Sequence, residues 1–299
     1  MVKVRVPAST SNLGSGFDCF GLALQLYLVV QMELLPRGLQ IVSGGEGSTQ
    51  IPTKEDNLVF KAAKKLFDYS GKSLPGLRIS TKNEIPLFRG LGSSGAATIA
   101  GLLGASQLAH AEVSAQEILT LANELEGHPE NAAASFSGGL TINCLAQGRV
   151  VYKRVEIEPD LKAVLLIPEV SISTERARRV LPPTVEHSAA VFNLQRSALL
   201  AHALVTRDYQ TLRIAMQDKL HQPFRKSLIP KYDEFEAVGY ENGALGVCIS
   251  GSGSTILGLT QGDGKALQKA WQKKVAALRA DARVLVVGIE NWGAQVSEE

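Results

Sequence analysis

The sequence predicts an α+β protein built of two lobes. In the first half, strand-like and helix-like stretches are mixed around glycine-rich loops, and the second half follows the order β-α-α-β-β-α-β. Between the halves, the hydrophobic pattern restarts with a buried strand, "KAVLLIP". A chain of 299 residues is long enough for two ordinary domains. We therefore expect lobes that span residues 1–155 and 156–299.

The first half begins with two strands, "VKVRVP" and "LALQLYLVVQMEL", separated by the turn "NLGSGFDCFG". The apolar residues of "NLVFKAAKKLFDYSG" recur at helical spacing, and "LRISTKNEIP" is a strand that runs into Pro86. A helix of small residues is expected from Gly95. Ser114 and Glu117 form a capping box that predicts the start of the next helix. A hairpin with its turn at residues 146–148 completes this lobe.

The second half continues from the strand "KAVLLIP" into a long helical pattern. Apolar residues recur at helical spacing throughout "SALLAHALVTRDYQTLRIAMQDKL", which predicts a long helix. The stretch "GALGVCISGSGSTILGLT" has the pattern of two strands joined by a glycine-serine turn. A helix over "GKALQKAWQKKVAALRA" and a last strand over "RVLVVGIE" complete the prediction.

Composition and charge favour a soluble globular protein with neither a nucleic-acid nor a membrane partner. Hydrophobic residues make up 45% and charged residues 20%, and a formal net charge of +2 indicates no strongly basic surface. Cys19, Cys144 and Cys248 are far apart without metal-binding spacing, so we expect free thiols in a reducing compartment. The N-terminus lacks signal-peptide features, and no apolar run approaches the ~18 residues of a membrane span. We expect a cytoplasmic protein.

The stretch "FRGLGSSGAA" (residues 88–97) contains a GxGxxG pattern but fits neither of two familiar nucleotide loops. A dinucleotide fingerprint needs a strand directly before its first glycine and an acidic residue at the end of the next strand. Here residues 86–89 intervene, and Glu112 lies between two predicted helices. A P-loop needs a lysine that this stretch lacks.

The same stretch nevertheless has the chemistry of a phosphate site. Glycines at 90, 92 and 95 allow close approach of the backbone to an anion, and the following helix offers its N-terminus. Ser93 and Ser94 add hydroxyl groups. The alternative is a structural glycine-rich turn with a serine N-cap, and this stretch alone leaves both open.

Three glycine-serine stretches together resemble the signature motifs of the GHMP kinases, a family of small-molecule kinases named after galactose, homoserine, mevalonate and phosphomevalonate. These stretches are "PASTSNLGSGFDCFGLAL" (7–24), "PLFRGLGSSGAATIAG" (86–101) and "GVCISGSGSTILGL" (246–259), in the family's order and spacing. The resemblance implies a two-lobed kinase with an N-terminal lobe like the second domain of ribosomal protein S5 and a ferredoxin-like C-terminal lobe. It is also compatible with a homodimer.

The resemblance implies ATP and Mg²⁺ as cofactors. It identifies Ser94 and Glu126 as magnesium ligands, a hydroxyl and a carboxylate of the kind that Mg²⁺ accepts beside phosphate oxygens and waters. Glu124 points to a different helix face and is the weaker candidate. The residues implied at the ATP phosphates are Pro86, Arg89, Gly90, Leu91, Gly92, Ser93, Ser94, Gly95 and Ala96.

Within the family, the flanking residues are most similar to members that phosphorylate the hydroxyl of L-homoserine to O-phospho-L-homoserine in threonine biosynthesis. Asp18 would bind the substrate ammonium, and Arg178 and Arg225 its carboxylate. Without the resemblance, an Asx turn, a structural histidine and a solvated charged helix face are the preferred interpretations of the same residues. The implied substrate residues are Asn12, Asp18, His128, Asn131, Thr174, Arg178, Arg225 and Gly251. The implied catalytic residues are Ser94, Glu126 and Arg178.

One position departs from the family pattern. Several members have an aspartate-asparagine pair, with the aspartate as base, where this chain has Glu130 and Asn131. Phosphoryl transfer depends mainly on positioning and charge neutralisation, so we assign no base here. Two alternatives stay open: a family member acting on shikimate or mevalonate, and a non-catalytic module that binds RNA or protein.

Overall fold

Two β-sheets with helices packed on them make up residues 1–298, which a computed structural model describes. The strands are β1 Val2–Ser11, β2 Phe20–Leu34, β3 Gly38–Gly45, β4 Gly76–Asn83, β5 Leu140–Ala146, β6 Arg149–Val155, β7 Leu161–Pro168, β8 Gly246–Ile249, β9 Ile256–Gln261, β10 Ala282–Gly288 and β11 Gln295–Glu298. The helices are α1 Leu58–Tyr69, α2 Ser93–Leu108, α3 Ala115–Glu126, α4 Glu130–Ser137, α5 Thr174–Arg179, α6 His187–Thr206, α7 Leu212–Ala215, α8 Gln222–Arg225, α9 Tyr232–Glu241 and α10 Lys265–Leu278.

The first sheet has the strand order β11-β1-β2-β4-β3, with β5 pairing with β2 and β6. Helices α2 and α4 pack against β1 and β2. Helix α2 is rich in small residues, and its neighbours approach it closely. A Cβ on Gly101 would lie 2.4 Å from the carbonyl oxygen of Val59 in α1, and one on Gly104 would lie 2.3 Å from Sδ of Met32 in β2.

The second sheet has the antiparallel order β10-β7-β9-β8, which is the arrangement of a ferredoxin-like βαββαβ unit. Helices α9 and α10 pack together and contact this sheet, and Trp271 of α10 is fully buried. The two-lobed α+β fold expected from the sequence is confirmed.

The C-terminal strand lies in the first sheet. Residues 295–298 form β11, which pairs with β1. The lobe bounds of 1–155 and 156–299 stay a prediction. All four residues of β11 are exposed and alternate too weakly to predict a strand. Between residues 1 and 298, no helix combines the length and the apolar character needed to cross a membrane.

The predicted long helix of the second lobe is interrupted. Helix α6 ends at Thr206, and Arg207 takes a left-handed conformation with φ 64°. A short turn follows, in which the Thr211 hydroxyl donates to Asp208, before α7 begins. Because no glycine or proline stands at this break, the periodicity continues across it and hides the end of the helix.

Candidate active site

A cavity of about 270 Å³ lies where the two lobes meet and is lined by residues of both. Fifteen of the residues implied by the family resemblance line it: Asn12, Asp18, Pro86, Arg89, Gly90, Leu91, Gly92, Ser93, Ser94, His128, Asn131, Thr174, Arg178, Arg225 and Gly251. Gly95, Ala96 and Glu126 do not line it. Gly95 and Ala96 are buried in the first turn of α2, and Glu126 lies behind Ser94.

The three glycine-serine motifs meet at this cavity through backbone contacts. We call them the first loop (residues 12–19), the glycine loop (86–92) and the third loop (250–255). The amide of Ser9, just before the first loop, donates to the carbonyl of Leu91 at 3.1 Å. The Ser250 hydroxyl lies 2.6 Å from the carbonyl oxygen of Gly90. The motifs therefore form one hydrogen-bonded structure, although they are far apart in the sequence.

The glycine loop ends directly at the N-terminus of α2. Gly92 is the N-cap, with φ 69°, and no side chain caps the helix. The first-turn amide groups of α2 therefore face the loop without a side-chain partner, at the positive end of the helix dipole. The structural alternative of a serine N-cap does not apply, because Ser93 and Ser94 lie inside the helix. This arrangement suits an anion such as phosphate.

Ser94 and Glu126 form the candidate metal pair. The Ser94 hydroxyl donates to Oε2 of Glu126 at 2.7 Å, and the Thr98 hydroxyl donates to Oε1 at 2.6 Å. The two oxygens of Glu126, the last residue of α3, thus lie next to the first turn of α2. One carboxylate beside one hydroxyl fits Mg²⁺, which takes its other ligands from phosphates and water. Glu124 instead pairs with Lys65 at the surface, at 2.7 Å.

At the substrate side, Asp18 and Arg178 form a bidentate ion pair. Its two N–H···O distances are 2.8 and 3.0 Å, and each side chain is a little over one-third exposed. The resemblance assigns these residues to opposite charges of a substrate, and the structure pairs them with each other. A zwitterionic substrate that binds both side chains would have to break the ion pair between Asp18 and Arg178.

The first loop has a strained backbone that Asn12 stabilises. Asn12, Leu13 and Asp18 all have positive φ, at 73°, 47° and 54°. The Asn12 side chain accepts a hydrogen bond from the amide of Asp18 at 3.0 Å and donates one to the carbonyl of Gly251 at 3.0 Å. Both ends of this amide therefore hold the loops together. The acceptor contact spans six residues and the donor contact reaches the third loop, so neither is a local Asx turn.

Arg225 is deeply buried, with 2% of the residue exposed. Its Nε donates to the carbonyl of Ala177 at 3.2 Å, and its Nη1 donates to the carbonyl of Gly251 at 3.0 Å. Burial, and secondly the charge of Arg178, lower the pKa of Arg225 to about 10. The guanidinium is therefore still positive at neutral pH, next to the cavity and close to a second cation.

Three polar residues that follow α3 also line the cavity: His128, Glu130 and Asn131. Nδ1 of His128 lies 3.2 Å from Oε1 of Glu130 without the geometry of a hydrogen bond. Burial opposes protonation of His128, but Glu130 raises its pKa above the usual value. The Asn131 side chain accepts from the Ser9 hydroxyl at 3.0 Å and donates to Ser11 and Glu130, so it is fully paired. Oε2 of Glu130 is buried without a hydrogen-bond partner among residues 1–298.

The sequence reasoning missed the far end of the cavity. Beyond the glycine loop, the cavity continues between apolar side chains that include Ile51, Pro52, Leu58 and Leu87. Helix α4, which begins at Glu130, was not predicted either. Residues 50–59 carry no glycine motif, and their place beside the glycine loop depends on how α1 packs against α2. No local signal in the sequence could have identified them.

Comparisons with known proteins identify the family of the chain. The family model "GHMP kinases N terminal domain" matches residues 57–139, and "GHMP kinases C terminal" matches residues 200–277. A homoserine kinase of Desulfitobacterium hafniense is 40% identical over 297 residues, which cover 99% of this chain and 100% of the relative. A homoserine kinase of Aquifex aeolicus is also 40% identical, with 99% of each chain covered.

Solved structures give the same result. The crystal structure of homoserine kinase from Cytophaga hutchinsonii superimposes with a TM-score of 0.88 at 27% identity, covering 99% of this chain and 97% of that one. A mevalonate kinase of L. major, at 16% identity and a TM-score of 0.73 over 96% of each chain, shares the fold. The chain belongs to the GHMP kinase family. Within that family, the two relatives at 40% identity over almost the whole chain are homoserine kinases.

Proposed function

We propose that the protein is an ATP-dependent homoserine kinase. It transfers the terminal phosphoryl group of ATP to the side-chain hydroxyl of L-homoserine and releases O-phospho-L-homoserine, an intermediate of threonine biosynthesis, together with ADP. One observation carries the proposal: a single cavity has an uncapped helix N-terminus on one side and the charges of Asp18, Arg178 and Arg225 on the other.

The charged side of the cavity matches an α-amino acid. Homoserine carries an ammonium and a carboxylate on the same carbon atom, and Asp18 and Arg178 present opposite charges 2.8 Å apart. The ammonium of homoserine would pair with Asp18, and its carboxylate would bind Arg178 and Arg225. Mevalonate and shikimate have a carboxylate but no ammonium, so either of them would leave Asp18 without a cationic partner from the substrate.

The apolar end of the cavity suits the base of a nucleotide, and the glycine loop its phosphates. The purine ring would lie among Ile51, Pro52 and Leu58, on the far side of the loop from Asp18. The triphosphate would then face the first turn of α2, where the amide groups and the dipole stabilise negative charge. The terminal phosphate would point toward the substrate hydroxyl.

Ser94 and Glu126 would hold the magnesium ion of the nucleotide. When bound, this ion neutralises phosphate charge that builds up during transfer. Thr98 keeps the Glu126 carboxylate beside Ser94 through its 2.6 Å hydrogen bond. The remaining residues act by positioning, because a loose phosphoryl-transfer transition state requires little covalent chemistry from the protein.

An ADP-release assay tests the proposal. L-homoserine, mevalonate, shikimate and 4-hydroxybutyrate are compared as acceptors with ATP and Mg²⁺, and L-homoserine should give the highest kcat/KM. Equal rates with 4-hydroxybutyrate would show that the ammonium is not recognised. Measurable Mg²⁺-dependent ATP binding would also exclude the non-catalytic module. A cytoplasmic location and a homodimer stay predictions, for cell fractionation and sedimentation equilibrium to test.

A further inference from the structure

His221 is fully buried between the first loop and Arg225. Its Nε2 lies 2.8 Å from the carbonyl oxygen of Gly14, and its Nδ1 lies 3.3 Å from Nη1 of Arg225. Its ring stacks on Phe17, with ring centroids 5.0 Å apart and an interplanar angle of 20°. One imidazole therefore contacts both the first loop, which carries Asp18, and the more deeply buried arginine of the cavity.

These contacts determine the protonation of the ring. A carbonyl oxygen can only accept and a guanidinium can only donate, so Nε2 carries the proton and Nδ1 presents its lone pair. Protonation at Nδ1 would remove the acceptor of Arg225 and place a second cation beside it. Burial lowers the pKa of His221 to about 4, with Arg225 adding to the effect and Asp218 and Asp18 opposing it. The ring is neutral at pH 7.

An ion pair with Asp218 does not explain the position of His221. Nε2 is 3.6 Å from Oδ2 of Asp218, farther than from the Gly14 carbonyl oxygen. The Asp218 carboxylate already accepts four N–H groups. Their donors are the amides of Leu220, His221 and Gln222 and the side chain of Asn193, at 2.6–2.9 Å. Asp218 thus stabilises the turn that leads into α8, and Nδ1 of His221 remains available as an acceptor for Arg225.

We infer that His221 is a positioning residue for substrate recognition: its neutral imidazole accepts from Arg225 and holds the guanidinium toward the carboxylate of the amino acid substrate. This inference rests on the proposed function. Within residues 1–298, the other acceptors of Arg225 are the carbonyls of Ala177 and Gly251. His221 is the one side chain among these acceptors. Because it also holds Gly14, it sets the distance between Arg225 and the first loop.

Two substitutions separate the two contacts of the ring. In His221→Asn, the side-chain oxygen replaces the Nδ1 acceptor for Arg225, while the donor to Gly14 is lost. In His221→Gln, the side-chain amide replaces the Nε2 donor, while the acceptor for Arg225 is lost. A charged hydrogen bond is worth enough that His221→Gln should raise KM for L-homoserine about tenfold or more, with KM for ATP unchanged. His221→Asn should have the smaller effect on KM for L-homoserine.

An acceptor without a carboxylate distinguishes a role in carboxylate binding from a merely structural role. With 3-aminopropan-1-ol, Arg225 has no carboxylate to bind, so wild type and His221→Gln should have similar kcat/KM. The control is His202→Gln at an exposed position of α6, which should match wild type with both substrates. Equal losses on both substrates, or a larger effect of Asn than of Gln on KM for L-homoserine, would overturn the inference.

A measurement on the unmodified protein covers the case in which both variants fail to fold. Nitrogen-15 NMR of histidine-labelled wild type should show a neutral, Nε2-protonated ring for His221 that persists well below pH 6. An Nδ1-protonated or charged ring at neutral pH would contradict the inference. Because this readout needs no turnover, it separates a wrong role for His221 from a wrong substrate: a wild type inactive on L-homoserine disproves the proposed function alone.

Discussion

Asp18 pairs with Arg178, and under the proposed function it would change its partner when a substrate binds. Its carboxylate accepts two hydrogen bonds from Arg178, a residue 160 positions later in the chain. The resemblance predicted both residues for the site, but no sequence spacing could show that they pair. In the proposed complex, the ammonium of the substrate would pair with Asp18 and its carboxylate with Arg178, so that one ion pair would become two. We therefore expect discrimination in favour of an amino acid to depend on the charge of Asp18.

Asp18→Asn should remove that discrimination. Loss of one partner of a charged contact costs about 2–5 kcal/mol, so kcat/KM for L-homoserine should fall roughly thirty-fold or more. The value for 4-hydroxybutyrate, which has no ammonium, should change little. Asp233→Asn is the matched control, because Asp233 pairs with Lys226 at the surface. A variant that still preferred homoserine as strongly as wild type would show that another group binds the ammonium.

Glu126 and Glu124, which are two residues apart, offer a test of the proposed metal site. Glu126→Gln keeps the hydrogen-bonding shape beside Ser94 and Thr98 but removes the charge that Mg²⁺ requires. We expect kcat to fall by at least about tenfold, in the range that metal-site substitutions produce, and the Mg²⁺ concentration at half-maximal rate to rise. Ser94→Ala should act in the same direction.

Glu124→Gln is the control for that prediction, since its side chain is half exposed and pairs with Lys65. Its turnover and Mg²⁺ dependence should match wild type. Thermal denaturation of all three variants should show only small shifts. If Glu126→Gln and Ser94→Ala kept wild-type rates at every Mg²⁺ concentration, neither residue would be a ligand of the metal.

At the scale of elements, the sequence predicted those whose signals are local. The capping box of Ser114 and Glu117 forms as expected at the start of α3. Helix α4 was missed because it has only eight residues and follows a proline, and β3 because it is an edge strand with no buried residue. The positions of these elements depend on tertiary packing. The resemblance therefore placed Asn131 at the site, but the helix that carries it was not predicted.

The junction of the glycine loop and α2 requires glycine at position 92. A Cβ there would lie 2.1 Å from Oγ of Ser9 and 3.0 Å from Oδ1 of Asn131, and φ is +69°. Gly92→Ala should therefore displace the start of α2 and weaken binding of both ATP and L-homoserine, since Ser9 and Asn131 link the two sides of the cavity. Calorimetric titration with each ligand measures both effects.

Gly148→Ala is the control for the backbone cost. Gly148 has φ +74° at a hairpin turn, and a Cβ there would have no heavy atom within 4 Å. The two variants share the strain of a left-handed alanine, of order 1 kcal/mol. Only in Gly92→Ala does the added Cβ also collide with Oγ of Ser9. Ligand affinities that fell equally in both variants would show that the collision with Ser9 has no role.

At the scale of the whole molecule, the two lobes are joined at several points around the cavity. Strand β11 returns from the second lobe to pair with β1, and the amide of Gly251 donates to the carbonyl of Ser11 at 3.2 Å. Arg283 of β10 pairs with Glu46, just after β3, at 2.6 Å. Ligands that bind between the lobes contact both of them. We therefore expect the protein to unfold in a single cooperative transition that either ligand shifts as a whole.

Differential scanning calorimetry tests this expectation. A ligand present at one hundred times its Kd stabilises the native state by about 2.7 kcal/mol. For a chain of 299 residues, with an unfolding entropy of about 2.1 cal/mol/K per residue, this raises Tm by about 4 °C. Saturating L-homoserine should shift the single transition by that amount, and Mg²⁺ with ATP should do the same. 4-Hydroxybutyrate at the same concentration should give a much smaller shift, because it leaves Asp18 without an ammonium partner. Two separate transitions, of which homoserine moved only one, would show that the substrate is held by one lobe alone.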